Sequence, residues 1–450
     1  MSFPKTINYK IISKGYDGDD FLLTNEEIKK TENKLTFLYD SSGIEISDKI
    51  KTLIQSLAVT LHKQTHSDRN NSYVEHEGTH SIRVAEAIIK NLKFVTNHFP
   101  VIINKLKKDL EIGTNKDLHF ILITMALLHD CNYFVDKSRG EIKAIHALKS
   151  AFTAYRVIDE QMKRILLNKG LSPNSIQRIM NSIYDAILCH NGDKKSMKFN
   201  HMCNTPIGDI PVIDVEQLER LIHECLDYQM AHAFIASCIT GKRDCHGRPC
   251  HKHPSYGIRF QDASLTNEPL LFLLRLADDF DSTENRLLPH QKSAIEKILL
   301  FTQPYMEERF MDLDRLAIGR WPWHNIIPTG VRQGFIKFTN HESNFINKIY
   351  KKDIYTHQPN ESYPGYYNPH LRYFISLWLI ESIGLGVDSH QLSVKVKIKQ
   401  SENTSMQSLI NFFATKVAKS DNPTDNGALI PLSDFYGRRI LRPGMNLHII

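Results

Sequence analysis

Phe120-Ile121-Leu122-Ile123-Thr124-Met125-Ala126-Leu127-Leu128-His129-Asp130 is the stretch on which the reading of this chain turns. It is apolar on every side, the pattern of a helix buried at the centre of a core, and the expected helix runs from Leu118 to Tyr133. It is much too short to span a bilayer. It ends on an imidazole beside a carboxylate. Carboxylates are almost never buried without a partner, so a His-Asp pair at this place calls for one, and a bound cation is one such partner. Adjacent helical residues diverge by about 100°, yet both can touch a single ion placed at the helix end.

Two more polar positions interrupt apolar stretches. His80 stands in Thr79-His80-Ser81-Ile82-Arg83-Val84, with Val84, Ala87, Ile88 and Asn91 following it on one helical stripe. Asp278 stands in Leu274-Arg275-Leu276-Ala277-Asp278-Asp279-Phe280-Asp281. Leu271, Leu274 and Asp278 share a face by steps of three and four, whereas Asp279 is rotated away. Asp281 lies near the Asp278 face, placed to orient a ligand or to pair with Arg286. Imidazole nitrogens and carboxylate oxygens together suit a borderline divalent ion such as Zn, Fe, Mn or Ni. His190 continues the stripe Ile176, Ile179, Ile183, Ile187, which points it inward. That placement serves either a metal ligand or a histidine that closes an apolar face by bonding a carbonyl.

The order His80…His129-Asp130…Asp278, with the phrases His-Ser-Ile-Arg-Val and Leu-Leu-Arg-Leu-Ala-Asp-Asp-Phe-Asp, resembles the HD superfamily of metal-dependent phosphohydrolases over roughly residues 60–300. The resemblance implies a mainly α protein, an HD-type helical bundle core with an additional α+β carboxy-terminal region. It implies His80, His129, Asp130 and Asp278 as metal ligands, Arg83 facing a substrate phosphate, and Asp130 orienting a metal-activated water. Some HD enzymes hold a second metal with two extra histidines after the His-Asp pair, and His146 and His190 are the candidates here. The expected cofactor is one or two divalent ions, Zn, Mn, Fe, Ni or Mg. The expected activity is hydrolysis of a phosphomonoester or phosphodiester, with a nucleotide among the candidates. Subfamily phrases are missing: Cys131-Asn132, Tyr133-Phe134-Val135-Asp136 and His190-Asn191-Gly192-Asp193 match none of the signatures of guanosine tetraphosphate hydrolases, deoxynucleoside triphosphate hydrolases or cyclic di-GMP phosphodiesterases.

Three other readings stand beside this one. An HD-like module could sense a nucleotide or bind a partner without catalysis. His76-Glu77-Gly78-Thr79-His80 matches the H-E-x-x-H pattern of zinc proteases, although Gly78 weakens the helix that such a site needs. Cys245, Cys250, His251 and His253 offer a structural zinc set, but their spacing fits no common finger, and a polar loop explains them as well.

The 450 residues are 41% hydrophobic and 24% charged, ordinary values for a globular protein, and the net charge of +6 suits an anionic substrate. Lys and Arg are scattered, which gives nucleic-acid binding no support. Met1-Ser2-Phe3-Pro4-Lys5-Thr6 leads into no apolar run of the secretory kind, and seven cysteines, mostly far apart, do not read as a disulfide framework. A reducing cytoplasm without membrane attachment is therefore expected, and an oligomer is left open. The expected organisation is a lead-in with short strands over 1–46, a helical metal-binding domain over 47–300 with an insertion at 191–265, and an α+β region over 301–450.

Overall fold

The apolar run around Phe120 becomes helix α5, the centre from which the amino-terminal part of the molecule is built. The computed structural model describes residues 12–14, 20–22, 25–68, 78–131, 146–190, 265–266, 268–309, 323–350, 369–388, 391–416, 418–419, 429–430 and 445–449. Among these, the chain is mainly helical with a small three-stranded sheet. It divides into two compact units, one holding residues 1–71 and 76–278, the other 72–75 and 279–450. The expected boundary near residue 300 falls inside a continuous helix, Pro289–Arg309.

The first unit opens with a short antiparallel pair, β1 (Ile12–Lys14) and β2 (Asp20–Leu22). Among the described residues seven helices follow: α1 (Asn25–Ser41), α2 (Asp48–Asp68), α3 (Gly78–His98), α4 (Pro100–Asp109), α5 (Asn115–Leu128), α6 (His146–Asn168) and α7 (Pro173–Cys189). A further helix, α8, covers Pro269–Phe280, and its residues as far as Asp278 belong to this unit. The expected lead-in, with its short strands, also carries the seventeen-residue α1. Its apolar face is thin, with Ile28, Leu35, Leu38 and Tyr39 buried while Phe37 faces water, so its period is faint in sequence.

Helix α5 is buried at every position from Leu118 to Leu128 except the half-buried His119. Thr124 is tolerated there because its hydroxyl donates to the Phe120 carbonyl (2.8 Å) and meets the Tyr39 hydroxyl at 2.8 Å. The helix starts at an N-cap, Thr114, whose Oγ1 accepts from the Asp117 amide. Lys169, just past the end of α6, donates to Asp117 at 2.6 Å and anchors this end of α5. Helices α3 and α7 pack on α5, α6 lies on α7, and α2 touches α1, α3 and α6. At the turn into α7 Gly170 has φ +82°, Ser172 caps the helix and Pro173 begins it.

In the second unit, α9 (Pro289–Arg309) packs with α10 (Trp323–Arg332), α11 (Asn340–Tyr350), α12 (Pro369–Leu379) and α13 (Thr404–Lys416). Helix α12 runs directly into β3 (Ile380–Asp388), which pairs antiparallel with β4 (Gln391–Ile398). On the other side β4 pairs in parallel with β7 (Asn446–Ile449), and β5 (Ala418–Lys419) with β6 (Leu429–Ile430) make a separate two-residue ladder. Strand β4 alternates, with Val394, Val396 and Ile398 buried and Lys395 and Lys397 exposed.

A capping box starts α11. Thr339 Oγ1 accepts from the Glu342 amide, and Glu342 Oε2 accepts from the Thr339 amide at 2.7 Å. Burial alone would raise the Glu342 carboxyl, but bonds from Lys297, Ser293 and the Thr339 amide outweigh it and bring the pKa down from 4.5 to about 2. A depressed carboxylate adds stability that is complete above its unfolded pKa and is lost as pH falls through the folded one. Glu342→Gln should therefore be less stable than the parent at pH 7, with the difference shrinking from about pH 4.5 downward. Urea unfolding of both proteins at pH 7 and pH 3 checks this.

Candidate metal centre

The ends of α5 and α7, the start of α3 and the last turns of α8 bring five of the expected residues together. His80 and His129 are fully buried, Asp130 and His190 nearly so, and Asp278 is half-buried. His80 Nε2 lies 3.3 Å from Asp278 Oδ1 and 3.6 Å from Asp130 Oδ2. His129 Nε2 lies 3.5 Å from Asp130 Oδ2 and 3.8 Å from Asp278 Oδ1. His190 Nε2 lies 3.1 Å from Asp130 Oδ1. The ring of His129 stands edge-on between those of His80 and His190, with centroids 5.1 and 5.0 Å away.

Hydrogen bonds behind the rings set their direction. His129 Nδ1 bonds the Ala126 carbonyl at 2.7 Å, and His190 Nδ1 bonds the Ile187 carbonyl at 2.5 Å. A carbonyl only accepts, so each Nδ1 carries the hydrogen and the Nε2 lone pair is turned into the cluster. A carbonyl behind a histidine that presents its other nitrogen to a cation is the usual outer arrangement of a metal ligand. His129 Nε2 is buried and has no hydrogen-bond partner among the described residues; both its carboxylate neighbours lie too far away. For His190, a lone pair facing a carboxylate oxygen at 3.1 Å requires a proton or a cation between the two atoms.

The spacing suits a cation. Two ligand atoms each about 2.1 Å from one ion, at angles of 90–110°, are themselves about 3.0–3.4 Å apart. The nitrogen–oxygen separations here run from 3.1 to 3.8 Å. Two overlapping triads form, His80-His129-Asp278 and His129-Asp130-His190, in each of which the ligand atoms lie within 4.8 Å of one another. This buried cluster can bind a metal ion.

Its electrostatics point the same way. Burial pulls the His129 pKa down, but Asp130 and Asp278 outweigh burial and push it up to about 9. Burial raises Asp278, but the neighbouring His129 and His80 imidazoles and the charge of Arg275 take it well below the usual carboxylate range. Two carboxylates gathered in a dry core attract positive charge strongly, whether as protons on histidine or as a metal ion.

Of the aspartates at the end of α8, Asp278 has its Oδ1 3.3 Å from His80 Nε2 and 3.8 Å from His129 Nε2. Asp279 is buried, and Asp281 lies 3.7 Å from the Arg286 guanidinium. Arg83 is half-buried, three residues beyond His80 on α3. His146 opens α6, but its side chain lies outside the described residues, as do His76, Glu77 and the group Cys245, Cys250, His251 and His253. Sequence reasoning assigned no role to Arg275, which donates to Asp278 Oδ2 at 3.1 Å. The available signal was a lone cation inside the apolar run Leu270–Ala277, one helical turn before Asp278.

No family model matches the chain, and neither curated proteins nor solved structures gave a match. Among the described residues no helix is long and apolar enough to cross a membrane.

Proposed function

We propose that the chain is a metal-dependent phosphohydrolase of the HD type, with an HD-like helical bundle as its catalytic part. The observation that carries this reading is the convergence of His80, His129, Asp130, Asp278 and His190, from four helices, on one dry cluster. A divalent ion bound there supplies the Lewis acidity that brings water to neutral-pH reactivity and offsets charge on a phosphoryl group. The chain's own side chains do the rest. His80, His129 and Asp278 would hold an ion as one group, and His129, Asp130 and His190 as the other. Asp130 has one oxygen toward His80 and His129 and the other toward His190, and the second lone pair on either oxygen is available to orient a water. Arg83 is the cation assigned to the substrate phosphate, which agrees with the net positive charge of the chain. The substrate class is a phosphomonoester or phosphodiester, with nucleotides the first compounds to try.

The test is elemental analysis of the purified protein together with a panel of phosphomonoesters, phosphodiesters and nucleotides. One or two equivalents of a divalent ion and hydrolysis of a panel member are expected. Stoichiometric metal without hydrolysis of any member would favour a sensing or binding module. No metal after reconstitution would overturn the reading.

A further expected result separates this function from a zinc protease. Glu77→Gln should leave phosphoester hydrolysis within about tenfold, because Glu77 is not a base in this site. A protease would lose its general base and far more of its rate. Assays of phosphoester and peptide hydrolysis on the parent and the variant decide between them.

A further inference from the structure

Arg275 is a charged residue in the apolar run of α8, and its side chain is only 12% exposed. Its Nη1 donates to two acceptors, Asp278 Oδ2 at 3.1 Å and the His190 backbone carbonyl at 3.0 Å. A terminal guanidinium nitrogen carries two hydrogens, so one atom can serve both. The acceptors stand on different segments, the end of α7 and the last turns of α8, and both residues belong to the His/Asp cluster. An ion pair three residues apart on an exposed helix adds little to stability. This one is mostly buried and shared with a carbonyl from another helix, so its main effect is on orientation.

We propose that Arg275 is a positioning residue that makes Asp278 a one-oxygen ligand and fixes its distance from His190, an inference that rests on the metal-site reading above. Asp278 Oδ1 is the atom that faces His80 and His129, at 3.3 and 3.8 Å, while Oδ2 is held by the guanidinium. Turning the carboxylate to offer both oxygens to an ion would therefore strain its bond to the guanidinium. The bond to the His190 carbonyl ties down the chain segment that carries the His190 ring. Without Arg275 the carboxylate is free to turn and chelate, and the end of α7 loses its link to α8. Outer partners of this kind typically change metal affinity by about 10- to 100-fold when removed.

The test uses the full chain, freed of metal by chelation and titrated with cobalt(II), whose visible bands weaken as its coordination number rises. The proteins compared are the parent, Arg275→Met and Arg275→Lys, with thermal unfolding of each metal-free form measured alongside. Arg275→Met should bind cobalt about 10- to 100-fold more weakly, with weaker visible bands because Asp278 chelates. Arg275→Lys, which keeps a cationic donor near Oδ2, should recover the parent's band intensities and most of the affinity. A folded Arg275→Met with the parent's affinity and bands would overturn the proposal. So would equal losses in both variants with unchanged bands, since that pattern belongs to a general loss of packing. Should Arg275→Met not fold, Arg275→Gln replaces it under the same criteria. A parent protein that binds no cobalt overturns the metal site itself, which is a separate result.

Discussion

His129→Ala should yield a folded protein that retains less than about a tenth of its metal after dialysis and hydrolyses phosphoesters at least about a thousandfold more slowly. His129 is the residue common to both triads, so its loss damages the site whether one ion or two are bound. Its Nε2 is buried and has no hydrogen-bond partner among the described residues, a position at which a cation is needed. Truncation also takes away the group best placed to carry positive charge between Asp130 and Asp278. Asp130→Ala should act similarly, because Asp130 touches all three histidines. Elemental analysis, circular dichroism and a phosphodiester assay on the same preparations measure these effects. Full metal and full activity in either variant would reject the metal site.

The second large effect concerns the three aspartates at the end of α8. Asp278→Asn should lose about a hundredfold or more in metal affinity and nearly all activity, because an amide is a poorer ligand and loses its charge attraction to Arg275. Asp279→Asn should keep most of its activity, since that carboxylate is not part of either triad. Asp281→Asn should fall between the two, as it weakens the pairing with Arg286 without removing a ligand. The comparison needs metal content and unfolding curves for each variant, so that misfolding is not counted as lost chemistry. If Asp279→Asn were the inactive variant and Asp278→Asn the active one, the ligand assignment would be off by one residue.

Much of the site was readable in sequence because its histidines and aspartates interrupt strongly patterned helices. An all-round apolar run ending in His129-Asp130 has only one place to go, and the stripe Ile176, Ile179, Ile183, Ile187 sends His190 to the same place. The two readings of His190 turned out to be compatible, since Nδ1 bonds a carbonyl while Nε2 faces Asp130. Helix α1 was missed because Ile28 stands alone at its start and Phe37 lies on the wrong face, so tertiary contacts rather than periodicity define it. The bond from Arg275 to the His190 carbonyl was not legible at all. It joins positions 85 residues apart, and nothing in either segment announces the other. Thr339-Asn340-His341-Glu342, by contrast, is a capping box that the sequence displays openly.

His129 and His190 are the C-cap residues of α5 and α7, each bonded back to a carbonyl of its own last turn. Two helices thus present their carboxyl-terminal ends to the same point. Each aligned stack of peptide dipoles places roughly half a negative charge at its end. The backbone itself therefore attracts a cation there, in addition to the side chains, and this attraction survives any single ligand substitution. It also constrains how the molecule can change. One residue inserted within α5 or α7 would turn its terminal histidine by about 100° around the helix axis, whereas insertions in the connecting loops would leave both ends in place.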